Sequence, residues 1–301
     1  METVARGLRK VASGRKIEAV ATSGVPSNRL PLDPALAGTM VGRRIGAVAR
    51  RGKYIVVGLS GKGTGRRGDP RPEPDAALGG LLEELRADAA EEALVLHLGM
   101  SGQLRWVAPG GEAPISHAHL RVFCSGGWEL RMVDPRRFGF AAVARLGELG
   151  AKVPALAALG PDPLGEAWGA EALAVALAGR RARLKSLLLD QEVIAGLGNI
   201  YTDEILFRAK LAWDRPGGSL SPAELEALAS AMGEVLGAAV EAGGSTLADA
   251  QYCDVFGAPG SYQRHHLVYG RAGLPCGRCG ETLQKQRFAG RFTTFCPACQ
   301  R

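Results

Sequence analysis

Four cysteines near the end of the chain, Cys276-Gly-Arg-Cys279 and Cys296-Pro-Ala-Cys299, carry the most specific chemistry in the sequence. They form C-x2-C-x16-C-x2-C, a spacing that suits a tetrahedral four-thiolate zinc site. Four thiolates leave no open coordination position, so such a metal is structural rather than catalytic. A tail of fewer than about 40 residues is too short to build a core of its own, and one zinc ion would supply its folding energy. Free or disulfide-bonded thiols are the alternative. Between the pairs, Gln284–Phe295 (QKQRFAGRFTTF) is basic and carries three phenylalanines. That is the composition of a β-hairpin presenting Arg287 and Arg291 to phosphates.

Two further segments could do chemistry. In Gly196-Leu-Gly-Asn199, glycines allow close backbone approach and Asn199 is a good N-cap, so the free N–H groups of the following helix would make an anion site. Arg180, Arg181, Arg183 and Lys185 lie close by in sequence. A tight interhelical turn is the plainer alternative. In Asp134-Pro-Arg-Arg-Phe-Gly139, two arginines beside a loop phenylalanine could form an apolar wedge that replaces a displaced base. A turn with Phe138 packed inward is the alternative. Met100, after His97-Leu-Gly99, is a second apolar tip residue. His117 and His119 alternate at i and i+2, sharing a strand face. Two ligands are too few for a metal, so they suit hydrogen bonding or phosphate contact.

These segments need elements to hold them. Tyr54–Leu59, Ala93–Leu98, His119–Cys124 and Trp128–Val133 are short β-branched runs separated by turn residues, as expected for a sandwich or barrel. Ser60–Pro74 is rich in Gly, Pro and charge and reads as a solvated loop. Gly147–Gly165, with three prolines, is a linker. Beyond it the period is helical. Leu184–Val193 and Ile200–Ala209 flank the glycine turn. Ser221-Pro-Ala-Glu224 is a capping box opening a helix with Leu225, Leu228, Met232, Val235, Leu236 and Val240 on its apolar face, stopped by Gly243-Gly244. The fold class is multidomain α+β, with boundaries expected at 1–146 for the β-rich domain, 147–262 for the helical domain and 263–301 for the cysteine unit.

Composition agrees with a globular chain. Its 301 residues carry 37 Lys plus Arg against 30 Asp plus Glu, a net charge of +7, and 46% are hydrophobic. No window approaches the roughly 18 apolar residues of a spanning helix, and METVARGLRK lacks the apolar core of a signal peptide. Metal-spaced cysteines suit a reducing cytoplasm better than a disulfide framework. The basic balance points toward a polyanion.

Taken in order, these segments resemble the bacterial formamidopyrimidine-DNA glycosylases, base-excision repair enzymes of the MutM type. The resemblance rests on Glu2–Leu8, Arg51-Gly-Lys-Tyr54, His97–Gly102, Asp134–Gly139, Leu159–Leu164, Gly196–Tyr201, Gly243–Leu247, Val268–Arg271 and the four-cysteine tail. It implies an N-terminal β-sandwich, a helix–two-turn–helix domain and a zinc-finger hairpin, with damaged double-stranded DNA held between them. The implied activity removes oxidised purines (8-oxoguanine, formamidopyrimidines) by base flipping, Schiff-base formation and β,δ-elimination. The Glu2-Thr-Val stretch resembles this branch more than the endonuclease VIII branch, which acts on oxidised pyrimidines. The implied protein is a monomer working at the bacterial nucleoid, away from membranes.

Residue by residue, the resemblance makes Lys53 a phosphate holder that assists elimination and Arg291 the zinc-hairpin arginine of the strand-cleavage steps. Met100, Arg136 and Phe138 would fill the gap left by the flipped base. His117, Arg136 and Arg181 match DNA contacts, and Lys185 and Asn199 match phosphate contacts. Gly243–Tyr262 would be a mobile lid. In this family the nucleophile is the amine of an N-terminal proline followed by glutamate, whereas this chain opens Met1-Glu2-Thr3-Val4. By family alignment about six residues that precede Glu-Thr-Val in the family are expected to be missing here, a reach of roughly 20 Å if extended. Met1 is expected to lie too far from the site, and neither Met1 nor Glu2 receives a catalytic role. One expectation is an enzyme with a longer native start. The other is a catalytically silent lesion-binding protein, or a weak lyase using Lys53.

Overall fold

The computed structural model describes residues 1–24, 35–61, 78–112, 116–165, 168–248 and 251–301. The Ser60–Pro74 loop lies, from position 62 onward, outside them. The described chain divides into two compact units, Met1–Ala158 with Ser245–Gly260, and Leu159–Gly244 with Ser261–Arg301.

The first unit is a β-sandwich. It opens with α1 (Glu2–Ala12), whose Val4, Ala5, Leu8 and Ala12 recur at helical spacing and are buried. Next come β1 (Ile17–Thr22), α2 (Ala35–Met40), β2 (Arg44–Arg51), β3 (Tyr54–Ser60), α3 (Gly79–Ala87), β4 (Glu92–His97), β5 (Gln103–Val107), β6 (Ala118–Cys124), β7 (Trp128–Val133) and β8 (Phe140–Arg145). Two turns of helix, α4 (Leu149–Lys152) and α5 (Pro154–Ala157), complete it. The strands form two four-stranded antiparallel sheets, ordered β2-β3-β4-β8 and β1-β6-β7-β5. One core joins them: Ile55, Val57, Leu94 and Leu96 of the first sheet cluster with Leu104, Leu120, Val122 and Met132 of the second. β4 is buried along its whole length, which explains why it reads as a continuous apolar run. All four strands expected from sequence form, within a residue of their expected ends. The other four were not legible: β1, β2 and β8 each carry two or more alanines, with arginines in β2 and β8, and β5 is only five residues long.

The second unit is built from α6 (Ala170–Leu177), α7 (Leu184–Leu189), α8 (Asn199–Arg208) and α9 (Pro222–Glu241), then the hairpin of β9 (Gln284–Phe288) and β10 (Arg291–Phe295). α9 begins at the expected capping box, with Ser221 Oγ accepting from Glu224 N–H and Glu224 Oε2 accepting from Ser221 N–H. It buries Leu228, Met232, Val235 and Leu236 as expected. At its end, Gly243 and Gly244 take φ of 73° and 91°, and Gly244 N–H donates to Ala239 O at 2.7 Å. That left-handed turn stops the helix.

The capping carboxylate titrates. Arg215 beside Glu224, followed by the Ser221 backbone, holds its carboxyl down at about 2, against an ordinary 4.5. A lowered folded pKa gives stability that is present above 4.5 and is lost as pH falls toward 2. Glu224 is 32% exposed, so screening limits the effect to about 1 kcal/mol or less. Urea midpoints should fall across this acid window, and Glu224→Gln should flatten the fall; equal slopes in both proteins would contradict it.

The two units divide the chain differently from the expected domains in three places, the first being that residues 147–158 fall in the sandwich unit. The tail is grouped with the helical unit, because α8 reaches into it. Glu204 accepts the N–H groups of Leu267, Val268 and Tyr269 at 2.8, 2.9 and 2.7 Å. Ser245–Gly260, expected as a lid of the helical domain, belongs to the sandwich unit. Val255 is fully buried in the sandwich core, and its carbonyl accepts from Trp106 N–H at 2.7 Å. A Cβ on Gly7 of α1 would sit 2.6 Å from Val255 Cγ2. The expected lid is therefore packed down at Val255, and positions 249–250 lie outside the described residues.

Candidate nucleic-acid interface and metal centre

In the sandwich unit the expected site residues sit on turns at strand ends. Arg51 pairs with Tyr54, so Gly52 and Lys53 form a two-residue β2–β3 turn that holds Lys53 partly exposed. Tyr54 and Phe140 flank buried His97, with ring centroids 4.9 and 5.7 Å from it. His97 Nδ1 accepts Gly99 N–H at 3.1 Å and so shapes the turn that presents Met100. Met100 is 64% exposed, on the turn that follows β4.

Beyond β7, Arg136 stacks its guanidinium 4.9 Å over the Phe138 ring. Phe138 is half-buried, so neither an entirely inward packing nor a bare wedge describes it. His117 is exposed, with φ of 69°. This left-handed residue breaks the strand alternation expected for His117 and His119, although the two rings stay 6.4 Å apart. His119 is fixed instead, its Nδ1 2.9 Å from Ser23 Oγ and its Nε2 3.0 Å from Asp134 O.

The Met1 α-amino group is buried and its pKa falls to about 6, through desolvation first and then the charge of Arg50, with Lys53 adding to the depression. Glu2 is held by Arg50 at 2.7 Å and Arg6 at 2.8 Å; these partners keep its carboxyl below the usual range against the opposing effect of burial.

In the second unit Arg181 is exposed just ahead of α7. Lys185 is not an exposed cation: it is 1% exposed, with Nζ 2.6 Å from Asp203 Oδ1 and 3.1 Å from Phe292 O. Its sequence signal, a lysine in a basic run, could not disclose a buried acid 18 residues away. Asp203 also accepts from Thr293 Oγ1 and Thr294 N–H, each at 3.0 Å. Gly198, not Asn199, caps α8; Asn199 is its first residue and donates from Nδ2 to Phe292 O at 3.0 Å. An amide carries two such donors, so this bond does not exhaust it. Together these contacts clamp β10 just after Arg291, which is exposed at the strand's start. Arg287 and Phe292 face each other across the hairpin, both exposed, with Lys285 Nζ 4.1 Å over the Phe292 ring.

The four tail cysteines converge, their sulfurs all within 4.8 Å of one another. Cys276 and Cys299 Sγ are 4.0 Å apart, and Cys279 and Cys296 Sγ are 3.5 Å apart. Metal–sulfur bonds of about 2.3 Å at tetrahedral angles give S···S separations of about 3.8 Å. The donor set therefore fits a four-thiolate metal centre, and it is the one such cluster among the described residues.

Family models match three segments: the formamidopyrimidine-DNA glycosylase N-terminal domain over 1–141, its H2TH domain over 159–251, and a zinc finger found in FPG and IleRS over 273–301. The chain belongs to the formamidopyrimidine-DNA glycosylase family. Formamidopyrimidine-DNA glycosylases of Laribacter hongkongensis and Cereibacter sphaeroides are each 40% identical to it, across 100% of this chain and 98% of theirs. Among solved structures, the MutM (Fpg) protein of Thermus thermophilus superposes with a TM-score of 0.79 at 38% identity, covering 99% of this chain and 96% of that one. The Lactococcus lactis Fpg, in complex with abasic-site DNA, gives 0.80 at 28% identity over 100% and 97%. Glycosylase-family membership accounts for the order β-sandwich, helical domain, cysteine tail. Among the described residues no helix is long and apolar enough to cross a membrane.

Proposed function

We propose that this protein is a DNA glycosylase with AP-lyase activity that removes oxidised purines, 8-oxoguanine and formamidopyrimidines, from damaged duplex DNA. The observation that carries the reading is Met100, an apolar side chain 64% exposed on a shaped turn, accompanied by the stacked Arg136 and Phe138 of a second turn. A base inside a duplex is out of reach of chemistry, so the target nucleotide must be extruded and the vacancy filled. Met100, Arg136 and Phe138 fill it. His117, Arg136 and Arg181 hold DNA on either side, and Asn199 and Arg291 bind phosphates. Lys185 acts from beneath, by fixing the strand that carries Arg291. Lys53 holds the target nucleotide's phosphate and assists elimination.

In the family's chemistry an amine attacks the sugar C1′, the C1′–base bond breaks, and the resulting Schiff base promotes β- and δ-elimination. None of the residues assigned here carries that amine. The tail site holds one zinc ion, whose thiolate cage supports the hairpin and takes no part in the reaction. The protein works as a cytoplasmic monomer on the nucleoid.

The reading is tested on the native protein from its own cells, with a duplex containing 8-oxoguanine. Base release, strand nicking and a borohydride-trapped adduct are expected. Arg291→Ala should weaken lesion-duplex affinity by roughly 1–3 kcal/mol, the worth of charge-assisted hydrogen bonds. Tight binding with neither base release nor an adduct would overturn the enzyme reading and leave a silent lesion-binding protein. Release of oxidised pyrimidines in preference to purines would place it with the endonuclease VIII type.

A further inference from the structure

Asp134, at the end of β7, is 1% exposed. Its Oδ1 accepts from Ser101 Oγ at 2.6 Å, and its Oδ2 accepts from Gly139 N–H at 2.7 Å. Its own N–H donates to His117 O at 3.0 Å, and its carbonyl lies 3.0 Å from His119 Nε2 and accepts Arg137 N–H at 3.2 Å. Each assigned DNA-facing turn after β4 therefore ends on an atom of Asp134. Ser101 follows Met100, Gly139 follows Phe138, and His117 is bonded directly.

Two of these turns also touch. Gly99 has φ of 61°, and a Cβ there would lie 2.6 Å from the Phe138 carbonyl carbon and 2.7 Å from Gly139 N. Backbone packs on backbone at this point, and the buried carboxylate bridges the pair from the inner side. A buried charge is costly unless its lone pairs are used; here two donors from two different turns use them.

We propose that Asp134 is a positioning residue that holds the Met100 turn and the Arg136–Phe138 turn as one rigid body, so that the three side chains enter the vacated base position together. The proposal rests on the gap-filling role assigned above. It reaches further, because it makes the wedge a single unit built on one carboxylate rather than three independent contacts. It also predicts which substitution restores the unit. In Asp134→Asn the amide oxygen can still accept from Gly139 N–H, while the amide N–H donates to Ser101 Oγ, since a hydroxyl can reverse its role. Asp134→Ala loses both bonds, and Ser101→Ala loses only the bond to the Met100 turn.

The experiment places 2-aminopurine opposite an 8-oxoguanine in a duplex and follows the fluorescence rise as the wedge unstacks it. Asp134→Ala should slow the rise by roughly tenfold or more, the scale of one net hydrogen bond withdrawn at the transition state. Asp134→Asn should restore it to near the wild-type rate, and Ser101→Ala, which removes a single hydroxyl, should fall between. Met100→Ala should add little in the Asp134→Ala background, because the two changes act on one unit. Wild-type rates in Ser101→Ala and Asp134→Ala, with slow rates in Met100→Ala and Phe138→Ala, would overturn the proposal and leave the gap-filling reading standing. Wild-type rates in all four variants would overturn both. Should Asp134→Ala fail to fold, Ser101→Ala alone decides: a wild-type rate overturns the proposal.

Discussion

Withdrawing the metal, by chelation or by Cys279→Ser, is expected to melt the β9–β10 hairpin and abolish most DNA affinity while the sandwich unit stays folded. The apolar cluster beside the cysteine knuckles holds Phe207, Val268, Cys276, Leu283 and Cys296, so two of its five members belong to the four-thiolate cluster, while Phe288 and Phe295 of the hairpin pack on the helical core. A two-stranded hairpin is marginal in water by itself, and here the strand hydrogen-bonded to the helical unit is β10, through Asp203 and Asn199. Structural zinc supplies about 10–16 kcal/mol in small four-ligand domains, more than that cluster can replace. The sandwich keeps its own core of strands from both sheets. Amide exchange reads both halves at once: β9 and β10 should lose protection on chelation, and β3 and β4 should keep theirs. A hairpin that stays protected without metal would contradict the assignment.

Asp203→Ala is expected to cost about 3–5 kcal/mol, the loss seen when one member of a buried ion pair is removed. Lys185 is 1% exposed and Asp203 is fully buried at its side chain, so the orphaned ammonium has no route to water without opening the unit. Burial pushes the Asp203 carboxyl up and the Lys185 ammonium down, in each case beyond what their mutual attraction restores. The pair is therefore a poor stabiliser compared with an apolar pair of similar size. Lys185→Met combined with Asp203→Leu should recover much of the single-variant loss. Thr293 and Thr294 also lose their acceptor in either variant, so DNA binding through Arg291 should not recover in the double variant. Urea unfolding of the helical unit and duplex affinity separate the two effects. A single-variant loss below about 1 kcal/mol would show the pair to be solvated.

This second case explains what Lys185 is for. Read in sequence it is one of four cations within six positions, and a phosphate contact is the natural inference. Folded, it is the only one of the four driven into the core, because α7 turns it toward α8 and Asp203. Neither the acid nor the two threonines on β10 are near it in sequence, so no local pattern could reveal the clamp.

The sequence alone determined the features whose physics is local. Ligand spacing determined the four-thiolate site, since two C-x2-C knuckles need only a hairpin between them to converge. Capping chemistry located the start of α9 at Ser221, and β-branched runs located β3, β4, β6 and β7. The order of motifs determined the family. Only the tertiary structure decided which polar groups are buried and which stay in water, because that depends on partners far apart along the chain. It seated Val255 in the sandwich core, joined the tail to α8 through Glu204, and gathered three turns onto Asp134. Asp134 shows the reason most directly: its partners Ser101 and His117 lie 33 and 17 positions away, and only the antiparallel pairing of β5, β6 and β7 brings those strand ends to one carboxylate.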